Sequence, residues 1–111
     1  MTYKITPFNS PIGAEITGID LRNPLGENTV KEIYQAWLDH LVIVIRAQDN
    51  LTPTEQKKFC ENFGNIGEYN RPKSRQHPKY ANDEIMLVSN VREEGRVIGA
   101  HPDGEMMWHT D

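Results

Sequence analysis

Cysteine is all but missing from this sequence. Cys60 stands alone, so no internal disulfide can form, which fits a reducing compartment. Long apolar runs are missing too. The longest, Leu41 to Ile45, falls far short of the roughly 20 residues that span a bilayer. The opening Met1-Thr2-Tyr3-Lys4 has none of the apolar core of an export signal. Basic charge is in deficit, with 12 Lys and Arg against 16 Asp and Glu and a net charge of −4, which removes the usual reason to expect nucleic acid. Together these absences describe a soluble, cytoplasmic protein with neither a nucleic acid nor a membrane as partner. What is present is enough for one domain with a core: 111 residues, 37% of them hydrophobic and 25% charged. The sequence shows no internal repeat and no low-complexity tract.

Two helices and several strands can be read in chain order. Tyr3 to Thr6 reads as a short strand ended by Pro7, and Ala14 to Ile19 as a second, with Ile16 and Ile19 facing inward. Thr29 and Glu32 have the spacing of a capping box. Val30, Ile33, Tyr34, Trp37, Leu38 and Leu41 then recur at helical spacing and form one wide apolar stripe. His40 falls in the last turn, where a cationic side chain suits the helix dipole better than it suggests a ligand. Leu41 to Arg46 is a β-branched run of the kind found in strands buried on both faces. Thr52-Pro53-Thr54-Glu55 starts a second helix, with Thr52 and Glu55 as a capping box and Pro53 in the first turn. Phe59 and Phe63 lie on its apolar side, Cys60 reads as a small buried residue beside them, and Gly64 ends the helix.

The second half is more polar. Gly67 to Asp83 reads as a long surface loop, and its Arg71, Lys73, Arg75 and Lys79 are more simply solvated cations than an anion site. Ile85 to Ser89 reads as a strand, Asn90 to Gly104 as a second loop, and Met106 to Asp111 as an extended segment.

Chemistry concentrates at the end. In an extended segment, side chains one residue apart point to the same side. His109 and Asp111 can therefore offer an imidazole nitrogen and a carboxylate oxygen to one small ion. Two histidines and a carboxylate on one face of an octahedron form the facial triad of non-haem Fe(II) oxygenases, which leaves coordination positions open. A second His-x-Asp pair, His101-Pro102-Asp103, sits in a turn-like stretch between Gly99 and Gly104, where proline cannot donate to an inner ladder. The run Met106-Met107-Trp108 is expected to hold the later pair against a core, and ligands work best on such supported elements. Spacing alone is weak evidence, and an edge or core histidine is the plainer reading of either pair. A zinc hydrolase using His101, His109 and Asp111 lacks any supporting His-Glu-x-x-His motif.

Longer-range order adds to this. Pro11-Ile12-Gly13-Ala14-Glu15-Ile16-Thr17-Gly18-Ile19-Asp20-Leu21 resembles the opening of the taurine dioxygenase (TauD/TfdA) family of Fe(II)- and 2-oxoglutarate-dependent dioxygenases. So do the following helix, the run Leu41-Val42-Ile43-Val44-Ile45-Arg46, and Leu51-Thr52-Pro53 with a helix ending Phe63-Gly64. Leu87-Val88-Ser89-Asn90-Val91 and Gly104-Glu105-Met106-Met107-Trp108-His109-Thr110-Asp111 complete the likeness in the same order. The resemblance covers nearly the whole chain, and order and spacing together make it specific.

The resemblance implies an α+β, mainly β fold, the N-terminal portion of a double-stranded β-helix (jelly roll) with flanking helices. Residues 1–111 would be the N-terminal part of a single dioxygenase domain, cut off after the His-x-Asp motif. It implies Fe(II) as cofactor and 2-oxoglutarate as cosubstrate, with His109 and Asp111 as the first two iron ligands. Its partners would be a small-molecule substrate and dioxygen, and the full-length parent could form a homo-oligomer. One oxygen atom of O2 would enter the substrate as a hydroxyl group, while 2-oxoglutarate takes the other and leaves as succinate and carbon dioxide. Tyr69, Asn90 and Glu105 fall where relatives approach the substrate, and Trp108 is expected to pack behind the ligands. A histidine seen near the position of Tyr69 in taurine-specific relatives has no counterpart here, which argues against taurine. The family's second histidine ligand and its 2-oxoglutarate-binding arginine have no match within these residues, so the chain is expected to be inactive in isolation. The alternative is a non-catalytic remnant or interaction module derived from the same family.

Overall fold

The fold is described from a computed structural model, which defines residues 2–67, 85, 87–99 and 107–109. The chain forms two compact units, residues 1–65 and 66–111.

In the first unit, β1 (Lys4–Pro7), β2 (Ala14–Thr17) and β3 (Ile43–Ile45) make one sheet in the order β1-β2-β3. β1 and β2 are antiparallel, with Ile5 opposite Ile16, whereas β2 and β3 run parallel, with Ile16 opposite Ile45. The parallel pair needs a crossover, which is α1 (Glu27–His40). Gly18 makes the turn out of β2 with φ +88°, and a Cβ there would lie 2.9 Å from the Thr2 carbonyl oxygen and 3.2 Å from the Tyr3 Cα. Only glycine lets the start of β1 approach so closely.

Ile16, Ile19 and Leu21 from the β2 segment form one buried cluster with Ile33 of α1, and Ala14 and Ala36 are buried as well. Ile5, Ile43, Ile45, Phe59 and Phe63 pack around that cluster while staying partly exposed. Full burial of a side chain such as Ile16 or Ile33 is worth about 1.5–3 kcal/mol. The inward placement of Ile16 and Ile19 agrees with the alternation read from the sequence. The apolar stripe of α1 is only half covered, because Tyr34, Trp37, Leu38 and Leu41 remain exposed.

Helix α1 starts earlier than the Thr29–Glu32 pattern suggests. Gly26 is its N-cap, no side chain caps it, and Thr29 lies inside the first turn. Glu27 supplies the favourable charge at this end and pairs with Lys31 at 2.8 Å. His40 closes the helix as expected, and its carbonyl accepts from the Gly13 and Val42 amides, both at 2.8 Å. Leu41 belongs to the helix cap, with φ +71°, so the strand is shorter than Leu41 to Arg46. Nor is this strand interior: β3 lies at the sheet edge, and its residues are half-buried.

Helix α2 (Pro53–Glu61) has the expected start. The Thr52 hydroxyl accepts from the Glu55 amide at 3.2 Å, and the Thr52 amide donates to the Glu55 carboxylate at 2.8 Å. Its end is set by Asn62 rather than Gly64, with the Asn62 side-chain amide donating to the Phe59 carbonyl at 2.9 Å. Cys60 is exposed, not buried. It sits one position on from Phe59, about 100° around the helix and off the apolar side.

A feature hidden from sequence periodicity ties the loops together. The Gln48 side chain accepts from the Leu21 amide at 3.0 Å and donates to the Ile19 and Arg46 carbonyls, both at 2.7 Å. It staples the exit of β2 to the exit of β3.

In the second unit, the segment read as a loop from Asn90 onward contains a hairpin, β4 (Arg92–Glu93) and β5 (Arg96–Val97). Glu94 and Gly95 turn it with φ +50° and +76°, the signature of a type I′ turn. Of the strand expected from Ile85 to Ser89, the described residues show only a bridge at Val88, and Met86 lies outside them. A Cβ on Gly99 would fall 2.7 Å from the Ser89 nitrogen and 2.9 Å from the Leu87 carbonyl oxygen, so backbone-to-backbone approach replaces side-chain packing there.

Candidate metal centre

His109 is exposed, and its Nδ1 lies 2.8 Å from the Met107 carbonyl oxygen. A carbonyl can only accept, so Nδ1 must donate and the lone pair of the neutral ring rests on Nε2. Metal-ligating histidines commonly donate their other N–H in this way, which fixes tautomer and ring orientation. The donor chemistry of His109 thus fits a divalent metal bound through Nε2. Asp111 lies outside the described residues, as do Tyr69, Glu105, His101, Asp103 and the basic residues Arg71, Lys73, Arg75 and Lys79. Among the described residues, no three His, Cys, Asp or Glu side chains come together to hold a metal ion.

Asn90 is exposed in the loop before β4, and the next amide, that of Val91, donates to the Ser89 hydroxyl at 3.1 Å. The packing expected of the Met106–Trp108 run is not seen at Met107 and Trp108, and Met106 lies outside the described residues. Met107 and Trp108 are both exposed, Trp108 fully so, and the Met107–His109 stretch is in no regular strand. No apolar layer among the described residues covers them.

A cleft of about 340 Å³ lies elsewhere, in the first unit, between the Leu21–Leu25 loop and α2. Its charged groups are mostly committed to local structure. Arg22 grips Asp20 through Nε at 2.9 Å and Nη2 at 2.7 Å, and Glu55 serves the cap of α2. The paired guanidinium, first by its side-chain hydrogen bonds and then by the Arg22 backbone amide, pulls the Asp20 carboxyl from 3.8 down to about 2. Among the described residues, its lining contains no histidine.

Comparison with known proteins defines the class. The chain belongs to the taurine catabolism dioxygenase TauD, TfdA family, whose model matches residues 4–111. It is 33% identical over 109 residues to pentalenolactone F synthase of Streptomyces arenae, a match covering 97% of this chain and 36% of that enzyme. The alpha-ketoglutarate-dependent 2,4-dichlorophenoxyacetate dioxygenase of Cupriavidus pinatubonensis is 33% identical over 122 residues, covering all of this chain and 40% of that enzyme. Among solved structures, a taurine dioxygenase from Burkholderia xenovorans aligns with TM-score 0.57 and 30% identity, over 62% of this chain and 25% of that one. AAD-2, crystallised with Mn(II) and N-oxalylglycine, aligns with TM-score 0.56 and 32% identity, over 60% of this chain and 26% of that one. The chain therefore spans little more than a third of the length of these curated relatives. No helix among the described residues is long and apolar enough to cross a membrane.

Proposed function

We propose that these residues form the N-terminal part of an Fe(II)- and 2-oxoglutarate-dependent dioxygenase domain that hydroxylates a small organic substrate. The observation that carries this reading is the family match running to the His109-Thr110-Asp111 motif. The Nδ1 hydrogen bond that orients His109 for metal binding supports it.

In this reading His109 and Asp111 hold the iron. The third protein donor, and the cation that pairs with the far carboxylate of 2-oxoglutarate, come from polypeptide outside these residues. When bound, the metal and 2-oxoglutarate supply the oxidising chemistry that converts a substrate C–H bond to C–OH. The residues of this chain hold the ion with the imidazole in one tautomer. Tyr69, Asn90 and Glu105 stand as the substrate-contact candidates. Relatives named for aryloxy acids and for sulfate esters support a small organic acid, sulfonate or sulfate ester as substrate.

The test is 2-oxoglutarate turnover by the whole product of the reading frame that encodes these residues. Succinate should form only with Fe(II) and dioxygen present, and D111A and H109A should abolish it while leaving the circular dichroism spectrum intact. Succinate formation by H109A at the wild-type rate would overturn the assignment.

A further inference from the structure

Two glycines of the second-unit hairpin answer different demands. Gly95 turns the chain with φ +76°, and a Cβ there would meet nothing within 4 Å. Gly99 has no left-handed angle to account for it. A Cβ there would instead fall 2.7 Å from the Ser89 nitrogen, 2.8 Å from the Ser89 carbonyl oxygen and 2.9 Å from the Leu87 carbonyl oxygen. All three are backbone atoms, which cannot swing aside as the end of a side chain would. Gly99 is also buried, whereas Glu94 and Gly95 at the hairpin tip are exposed. Position 95 requires a turn, and position 99 requires space.

That space lies directly before Asn90. The β4–β5 register pairs Glu93 with Arg96 and Arg92 with Val97, and the Ile98 amide extends it by donating to the Val91 carbonyl at 3.2 Å. Asn90 and Gly99 are the next residues on the two arms. The Ser89 hydroxyl accepts from the Val91 amide at 3.1 Å, which closes a short turn about Asn90. Asn90 is thus bracketed. The residue before it is pressed against Gly99, and the residue after it is tied back to Ser89 and across to Ile98. Asn90 itself is exposed. A backbone held on both sides presents an exposed side chain in one place, which is what a contact residue on a loop requires. We infer that Ser89 and Gly99 are positioning residues that hold Asn90 in place against the substrate. This rests on the proposed function for what Asn90 touches, whereas the bracketing of Asn90 rests on the hairpin alone.

The test compares the whole reading-frame product with Gly99→Ala and Ser89→Ala, and with N90A alone and combined with each. G95N serves as the control, because asparagine tolerates the left-handed backbone at 95 and meets open space there. The first readout is the Asn90 side-chain amide signal in nitrogen-edited NMR, identified by its loss in N90A. G99A and S89A should shift this signal, and G95N should leave it in place. The second readout is the apparent KM for phenoxyacetate, an aryloxy acid, in succinate formation. G99A should raise it about fivefold with kcat little changed, the scale of one lost hydrogen bond. In an N90A background it should add nothing further, since residues acting through one another are not additive. An Asn90 signal that G99A leaves in place, or that G95N shifts as far, would overturn the inference. So would an unchanged KM, or a KM effect that adds to that of N90A, because Gly99 would then act on the loop at large. If G99A does not fold, S89A, which removes one hydroxyl and adds no bulk, decides on the same readouts. Where succinate forms without any response to phenoxyacetate, the Asn90 signal decides alone. Failure of the wild type to form succinate would sink the dioxygenase reading, and the Asn90 signal would still decide whether Ser89 and Gly99 hold Asn90.

Discussion

The Nδ1 of His109 is held 2.8 Å from the carbonyl oxygen of Met107, two residues back in the chain. This short-range bond selects the ring tautomer, because a carbonyl can only accept. The neighbouring Met107 and Trp108 are exposed.

The Gln48 staple should matter more than its place in a loop suggests. Gln48→Ala leaves the Leu21 amide and the Ile19 and Arg46 carbonyls without their partner. A loss of about 1–3 kcal/mol is expected for part-buried groups of this kind. Urea unfolding of the two proteins measures it, and a change below about 0.5 kcal/mol, the lower end for a single bond, would show that the staple is idle.

Gly18→Ala should detach the start of β1. The left-handed backbone and the 2.9 Å approach to the Thr2 carbonyl oxygen leave no room for a methyl group. The expected cost is about 1–3 kcal/mol, the scale of backbone strain at such positions. Amide exchange should locate the loss at Tyr3 to Ile5, and an unchanged exchange pattern there would contradict the account.

Asp20 should titrate far below an ordinary aspartate. Its carboxyl is drawn from 3.8 to about 2 by the Arg22 hydrogen bonds. A lowered folded-state pKa stabilises above the unfolded value and loses that contribution as protons bind the folded state. The Asp20–Arg22 contribution is therefore complete above about pH 4 and fades towards pH 2, and it is small because the pair is exposed. Carboxyl NMR should find the low pKa in the wild type and a return towards 3.8 in R22A. An ordinary value in the wild type would show that the bidentate pair does not persist in solution.

Much of the first unit was legible because its signals are local. The Thr52–Glu55 box, Pro53 and the alternation through Ile16 each act within a few residues, and each reappears in the fold. The Thr29–Glu32 pattern misled because the same spacing can fall inside a helix that Gly26 begins. The β-branched run Leu41 to Arg46 correctly signalled a strand, but burial on both sides depends on neighbours that composition cannot supply. The hairpin at Glu94-Gly95 was signalled only by its glycine, since its strands are two residues long and show no alternation. Gln48 gave no sequence signal, because a side chain bridging residues 27 and 29 positions apart leaves no periodic trace. At the candidate site, spacing and resemblance single out His109 and Asp111 as the proposed pair, whereas the exposure of Trp108 was not legible, because an apolar side chain does not by itself report whether it is packed.

The most direct test of the central claim is an anaerobic Fe(II) titration of the whole reading-frame product, wild type against H109A. The account predicts one equivalent bound by the wild type and binding at least about tenfold weaker in H109A, since even indirect partners of metal ligands have effects on that scale. Equal affinity in the two proteins would mean that His109 is not an iron ligand.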